Sequence, residues 1–167
     1  MALAKGPSQL HNITGYLSVH PNIIIPATQE LVVVDGNGTT SVVLGPVTFL
    51  PGHAVCLVQD ILNNTQTYNL CSSHQDKVET FLGFQINDIS NGARPLVATG
   101  RGSIITPIVQ DGVPLIPNSS VFLSPVSGQV TQNSTTLLAS ESGSALLIGF
   151  AISTTQMILA PEEFTRN

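Results

Sequence analysis

Glycine and proline interrupt this sequence so often that few segments are long enough to form an α-helix. The 167 residues include 14 Gly and 11 Pro, and both residue types are unfavourable in helix interiors. Between them lie short apolar runs rich in Val, Ile, Leu and Thr, such as residues 31–34 and 42–44. The Asp-Gly-Asn-Gly stretch at 35–38 lies between these two runs and indicates a hairpin turn. Further runs follow at a spacing of roughly 8–12 residues, which is typical of an all-β sandwich or barrel.

An internal repeat predicts how these strands are organised. The segment that starts at Pro51 is similar to the one that starts at Pro117, and FLGFQI at 81–86 is similar to LIGFAI at 147–152. Both offsets, from 51 to 117 and from 81 to 147, are 66 residues. Glycine inside a strand usually marks a bulge or a close backbone approach. We predict one jelly-roll-like β-domain over residues 31–167, with pseudo-repeated units at about 51–86 and 117–152 and with Phe84 and Phe150 buried.

Residues 1–30 have a different pattern and are predicted to form an extended N-terminal arm. Pro7, Pro21 and Pro26 each lack the backbone N–H that a strand ladder needs. The segment is nevertheless too apolar for a disordered linker, so its side chains need a surface to cover them. That surface is either this chain's own β-domain or, as we expect, a neighbouring subunit. The candidate subunit-contact residues are Leu10, Ile13, Tyr16, Leu17, Val19, Ile23, Ile24 and Ile25.

The low content of charged residues favours contact with other subunits. Charged residues make up only 9% of the chain, where a typical domain has about 25%. Neutral polar groups lose less solvation free energy than ions when a partner buries them, so we expect a homo-oligomer, either a dimer or a trimer. The five Lys and Arg are scattered and the net charge is −5, so nucleic acid is not an expected partner. No signal peptide and no apolar run of 18 residues is recognised, so a membrane is not expected either.

No set of residues in the sequence indicates catalysis, a cofactor or a metal ion. Neither His-x-x-x-His spacing nor a His and Cys at zinc-ligand spacing occurs. The acidic residues are isolated in predicted turns, and no serine lies in a Gly-x-Ser-x-Gly motif. We therefore predict that the protein is not an enzyme and has no small-molecule substrate. None of the four histidines, His11, His20, His53 and His74, is predicted to be a metal ligand.

The two cysteines lie at positions that a hairpin would bring together. Cys56 and Cys71 are symmetric about Asn63-Asn64, where a hairpin over residues 54–73 would turn. In that register the two residues face each other, so a cross-strand disulfide is geometrically allowed. The lack of a secretory signal favours a reducing compartment. Reduced, buried thiols are therefore the expected state, and the disulfide is the alternative.

The C-terminal repeat unit carries a recognisable motif. It reads VFLSPVSGQVT at 121–131, LIGFAIS at 147–153 and MIL at 157–159. This resembles a pattern of tailed-phage virion proteins, in which a V-Y-L-S-x-x-x-G-x-V-T strand pair precedes a V-G-x-A-x-S strand and a terminal I-x-L strand. Here Phe122 replaces the usual Tyr. The resemblance covers about residues 115–160, with a degenerate copy at 51–90, and is to capsid decoration (cement) proteins of tailed bacteriophages and related small head or fibre β-domains.

This resemblance implies a structural virion protein that is made in the host cytoplasm. It would bind the outside of the capsid and stabilise the shell by bridging neighbouring subunits of the major capsid protein. A head fibre, tail-spike base or baseplate module is the alternative, which differs only in where the domain docks. A carbohydrate-binding adhesin is an alternative of another class, which the absence of Trp and the presence of only two Tyr disfavour.

Overall fold

The protein folds into two packed antiparallel β-sheets and one added β-hairpin. The computed structural model describes residues 15–73, 79–133 and 146–161. The strands are β1 (Tyr16–Ser18), β2 (Thr28–Val34), β3 (Thr40–Pro46), β4 (Ala54–Asp60), β5 (Thr65–Leu70), β6 (Glu79–Gln85), β7 (Leu96–Ala98), β8 (Ile104–Ile105), β9 (Ser120–Leu123), β10 (Val130–Thr131), β11 (Leu147–Ala151) and β12 (Met157–Leu159). Within these ranges the only helical element is a 3-10 turn, Gln110–Gly112, and no helix is long and apolar enough to cross a membrane. The prediction of an all-β fold is confirmed.

The two five-stranded sheets have the same connectivity. The first sheet has the strand order β1-β7-β6-β4-β5, and the second has the order β8-β12-β11-β9-β10. The five strands of each sheet also occur in the same relative order along the chain, so each strand of the first sheet has an equivalent in the second. The β2–β3 hairpin forms a separate two-stranded sheet and is inserted after β1. These matching orders support the repeat hypothesis; superposition of the two units stays a prediction.

Each sheet contains a β-bulge next to its repeated glycine. In the first sheet, Leu82 has no partner residue on β4, and the adjacent Gly83 lies opposite Val55. In the second sheet, Ile148 has no partner on β9, and Gly149 follows it in the same way. A bulge puts two residues of one strand opposite one residue of the other. The two bulges therefore lie at the same position of equivalent strand pairs.

One apolar core lies between the two sheets. Ala54, Phe84 and Ala98 of the first sheet pack in a single cluster with buried residues of the second sheet. Strand side chains alternate between faces, so these residues mark the face of the first sheet that the second sheet covers. The contributions from the second sheet are Ile105, Val121, Leu123, Val130, Ile148, Ala151, Met157 and Leu159.

A second core lies on the opposite face of the first sheet. Val55, Tyr68 and Val97 point to this side and pack with Val19 and Phe49, which belong to the connecting segments. Partly buried apolar residues from the same part of the chain complete the cluster, including Ile23, Ile25, Leu31 and Val47. The first sheet is thus covered on both faces, by the second sheet on one side and by residues 19–49 on the other.

A buried polar pair lies within this second core. The Tyr68 hydroxyl donates to Gln85 Oε1 at 2.8 Å, and Gln85 Nε2 donates to the carbonyl oxygens of Phe49 and Asn87 at 3.0 and 2.9 Å. Both Tyr68 and Gln85 are fully buried. Burial raises the pKa of Tyr68 well above its usual value, because the phenolate would have to lose its hydration. The amide therefore ties β6 to the Phe49 segment that covers it.

The β4–β5 hairpin turns one position earlier than its cysteine spacing predicts. Asp60 pairs with Thr65, so Cys56 lies opposite Asn69 and not opposite Cys71. The turn shifts because Asp60 accepts hydrogen bonds from the backbone N–H and the side-chain amide of Asn63. The predicted register is therefore wrong. The two cysteine side chains nevertheless share one face, with their Cα atoms 5.3 Å apart, and they form a disulfide where reduced thiols were expected.

Candidate functional site

The two histidines of the described ranges each accept a backbone hydrogen bond from a residue close in sequence. In the part of the chain that the structure describes, no group of three or more His, Cys, Asp or Glu could hold a metal ion. His53 Nδ1 accepts the Leu50 N–H at 3.0 Å, and burial lowers the pKa of His53. His20 Nδ1 accepts the Asn22 N–H at 3.0 Å. His11 and His74 lie outside the described residues.

The acidic residues of two exposed turns also have local roles. Hydrogen bonds from the side chain and the backbone of Asn63 hold the pKa of Asp60 below its usual value. Bonds from the backbone and the side chain of Ser90 lower the pKa of Asp88 in the same way. Each carboxylate therefore caps the turn that contains it, which is a common role for Asp.

The described part of the N-terminal segment, residues 15–30, packs partly on its own chain. Val19 is 1% exposed, and Ile23 and Ile25 pack against the second core. The guanidinium of Arg94 donates to the carbonyl oxygens of Val19, His20 and Ile23 at 2.6 to 3.2 Å. The chain's own first sheet therefore covers Val19 fully and Ile23 and Ile25 in part, and contact of these residues with a neighbouring subunit stays a prediction.

The other candidate arm residues are divided between the surface and the undescribed terminus. Tyr16 and Leu17 lie on β1, which pairs with β7 at the edge of the first sheet, and both are exposed. Ile24 is also exposed, although its backbone bridges to Thr67 of β5. Leu10 and Ile13 lie outside the described residues.

The second sheet carries an apolar surface that its own core does not use. We call this surface the outer face and define it as Ile104, Ser120, Phe122, Leu147, Phe150 and Ile158. Alternation along the strands places these residues opposite the core-facing Val121, Ala151 and Met157. They also lie next to one another across the strands, as Phe122 opposite Leu147 and Ile158 opposite Ile104.

The outer face is accessible and uncharged. Phe150 is 43% exposed, and Phe122, Leu147, Ile158 and Ile104 are each partly exposed. The set contains five apolar side chains and one serine, with no ionisable group. The prediction that Phe150 is buried is wrong, because a repeat position fixes the side of the sheet on which a residue lies but not whether that side is covered.

Equivalent faces of the two sheets point in the same direction. The bulge positions make Phe84 equivalent to Phe150, since Phe84 lies opposite Ala54 and Phe150 lies opposite Ser120. Phe84 faces the core between the sheets and is fully buried. The outer face of the second sheet is therefore the equivalent of the face that the first sheet buries. The second sheet covers the first, and among the strands that the structure describes no third sheet covers the second.

A second exposed apolar region lies on the β2–β3 hairpin. Val42, Val43 and Leu44 of β3 are 51%, 49% and 72% exposed. Beside β3, Leu44 lines an open groove of about 480 Å³ together with Pro26 and the β4–β5 turn residues Ile61 and Leu62. Sequence reasoning placed β3 in the β-domain and gave it no contact role. Its run of three apolar residues, where a strand with one buried face would alternate, is the signal that would have identified it.

Comparison of the chain with protein family models, with curated proteins and with solved structures finds no match. The resemblance to phage virion proteins therefore stays an expectation from the motif in residues 115–160 and its degenerate copy at 51–90.

Proposed function

We propose that this protein is a non-enzymatic structural subunit of a phage virion, which binds the outside of the capsid and bridges neighbouring capsid subunits. The observation that carries this proposal is the outer face of the second sheet. It is an array of five apolar side chains and one serine that includes Phe150, which is 43% exposed. Contiguous apolar surface of this kind marks protein interaction sites.

The internal stacking supports a protein partner for the outer face. The equivalent face of the first sheet is buried against another β-sheet, so the same side of this unit already packs well on a sheet surface. A capsid subunit that offers an apolar sheet or ridge would continue the stacking. The low charge of the chain, 9% of residues, reduces the cost of desolvating the rim of such an interface.

Capsid stabilisation follows from contact area repeated over many copies. A specific protein interface buries about 1,200–2,000 Å² in total. A subunit that divides such an area between two neighbouring capsid proteins must lose one of the two contacts before the neighbours can separate. The stabilisation is then mechanical and needs neither a cofactor nor a reaction.

The test is binding to capsids that lack this protein. Phe150→Glu places a charge at the centre of the outer face, and we expect it to lower occupancy about tenfold or more, since an unpaired charge is costly to bury. Leu62→Glu is the matched control, because Leu62 is 96% exposed on the β4–β5 turn, away from the outer face. Occupancy is measured by co-sedimentation and by density in a particle map.

The result distinguishes the competing assignments. Full occupancy of the Phe150→Glu variant on capsids would contradict the proposed docking face. Density for the wild-type protein on the tail, a fibre or the baseplate, with none on the capsid, would favour the alternative virion role. A carbohydrate-binding role gains no support, because Tyr68 is buried and leaves Tyr16 as the only accessible tyrosine.

A further inference from the structure

The β2–β3 hairpin has an edge strand, β3, that is exposed, apolar and uncharged. β3 has β2 as its only neighbour among the strands that the structure describes. Its central residues Val42, Val43 and Leu44 are exposed, and residues 40–46 include no ionisable side chain. Natural edge strands are usually protected by charged residues, bulges or a covering segment. β3 carries only Pro46, at its end, so the edge is open to another strand.

The hydrogen-bond pattern shows which residues of β3 are available. In an antiparallel ladder, successive residues direct their N–H and C=O groups alternately toward and away from the neighbouring strand. Thr39 accepts the Asp35 N–H, and the Val47 N–H donates to Ala27, so the odd-numbered residues of this strand face β2. Thr40, Val42 and Leu44 therefore direct their N–H and C=O groups outward.

The backbone groups of β2 alternate in the same way, and those that point away from β3 at Val32 already make hydrogen bonds. Val32 lies opposite Val42, so its backbone groups also point away from the shared ladder. The Val32 N–H donates to Ser127 Oγ at 2.8 Å, and its carbonyl oxygen accepts the Ser127 N–H at 3.1 Å. The β2 side of the hairpin is thus anchored to the domain at this point, while the β3 side faces solvent.

We propose that β3 pairs antiparallel with β3 of a second copy of this chain, about a two-fold axis at Val42. In this register Val42 lies opposite Val42 of the partner subunit, and Leu44 lies opposite Thr40 of the partner subunit. All three outward-directed residues of each copy then fall in hydrogen-bonded pairs. The two hairpins join into one four-stranded sheet, and the open edge is removed from both copies.

A second copy fits this edge for reasons that the strand itself provides. The outward residues 40, 42 and 44 are symmetric about 42, so one two-fold axis satisfies both strands together. The edge is uncharged, so pairing brings no like charges together although the whole chain has a net charge of −5. The paired side chains are apolar or hydroxyl groups, which suit cross-strand contact. The dimer forms in free solution, so it does not depend on the proposed capsid role.

The test uses the full chain and one substitution with a matched control. Val42→Lys places two ammonium groups side by side at the axis, where like charges oppose pairing. Val113→Lys adds the same charge at a valine of similar exposure, 56% against 51%, in a loop outside the hairpin. In sedimentation velocity we expect dimers for the wild type and Val113→Lys. We expect a dissociation constant about tenfold or more higher for Val42→Lys, which corresponds to about 1.4 kcal/mol, with unchanged far-UV circular dichroism.

Crosslinking supplies a second measurement that does not depend on the folding of the lysine variant. Hydrogen-bonded residue pairs have Cα atoms about 5.5 Å apart, which is within the range of a disulfide. Val42→Cys should therefore oxidise to a covalent dimer, while Val113→Cys should not. A wild-type protein that is monomeric at about 100 µM or that is trimeric, a Val42→Lys variant that dimerises normally, or equal crosslinking of the two cysteine variants would each overturn the proposal.

Discussion

Gly83 and Gly149 are placed alike in the two sheets, each so close to the backbone of the next strand that no side chain fits. A Cβ on Gly83 would overlap the carbonyl oxygen of Ala98, and a Cβ on Gly149 would overlap that of Ile158. Each glycine therefore lets an inner strand approach its neighbour beside the bulge. Gly83 also has a φ of 150°, which residues with a side chain rarely adopt.

Substitution of either glycine should destabilise the protein. We expect Gly83→Ala and Gly149→Ala to lower the free energy of unfolding by about 1–3 kcal/mol, as overpacking does, with the larger loss at Gly83 because of its φ. Gly36→Ala is the control, since a Cβ there meets nothing within 4 Å. Urea denaturation measures all three. A loss at Gly83 or Gly149 no larger than that at Gly36 would contradict the steric role.

The two equivalent phenylalanines should differ in their effect on stability. Phe84→Ala removes a fully buried ring and should cost about 3–5 kcal/mol. Phe150→Ala removes a ring that is 43% exposed, and we expect a cost of about 1 kcal/mol. Thermal and urea denaturation of the two variants provide the comparison. Equal losses would mean that the outer face is covered in the isolated protein.

The Cys56–Cys71 disulfide should contribute measurably to stability. It closes a loop with a sequence separation of 15 residues, for which chain-entropy arguments give about 3 kcal/mol. A reducing agent should then lower the melting temperature by about 6–12 °C. The Cys56→Ala/Cys71→Ala double variant should show no response to the same agent. Detection of two free thiols in the unfolded protein without reductant would show that the bond does not form.

Tyr68 should make the protein less stable in alkaline solution. Its pKa is raised in the folded state by burial, so the unfolded chain loses the phenolic proton at a lower pH than the folded chain does. The stabilisation is complete below the unfolded pKa of about 10 and is lost progressively as the pH rises above it. Tyr68→Phe should remove this part of the pH dependence. Melting temperatures of both proteins between pH 7 and 11 test the difference.

The same substitution should also cost stability at neutral pH. Tyr68→Phe leaves Gln85 Oε1 without the donor that it has at 2.8 Å, in a fully buried position. A buried acceptor without a partner costs about 1–3 kcal/mol. If Tyr68→Phe is as stable as the wild type at pH 7, the Gln85 amide has found another partner or is solvated.

Removal of the N-terminal segment should destabilise the fold. Deletion of residues 1–22 removes β1 and Val19, which is 1% exposed, and leaves Arg94 without two of its three carbonyl acceptors. We expect a clear fall in melting temperature. Deletion of residues 1–14 alone retains β1 and Val19 and is the control. An unchanged melting temperature for the longer deletion would show that residues 1–22 do not contribute to the core and would favour their role as a subunit-contact arm.

The strands were predictable because short β-branched runs and Gly or Pro breaks carry local information. The hairpin at residues 35–38 was identified from its turn residues, and it connects β2 and β3 as expected. The 66-residue offset indicated Gly83 and Gly149 as matching positions, and both are next to a bulge. Local composition and spacing were sufficient for these features.

Burial was not predictable from the same information, because it depends on what packs on each face. Val19 is buried and Phe150 is exposed, although both were assigned otherwise from pattern. The cysteine register failed because one side-chain cap, Asp60 on Asn63, shifted the turn. The outer face needed the full sheet order, since its residues come from four strands between residues 104 and 159.

Because equivalent faces of the two sheets point in the same direction, the two ends of the stack are different. Residues 19–49 close one end of the stack, much as a terminal repeat caps a solenoid, and no further strand of the described ranges covers the second sheet at the other end. A fold that grows by duplicating such a unit moves its uncovered face outward with each added layer and never eliminates it. In the described residues the stack stays open on the side of Phe150, which is 43% exposed, and this is the side on which we expect another molecule to pack.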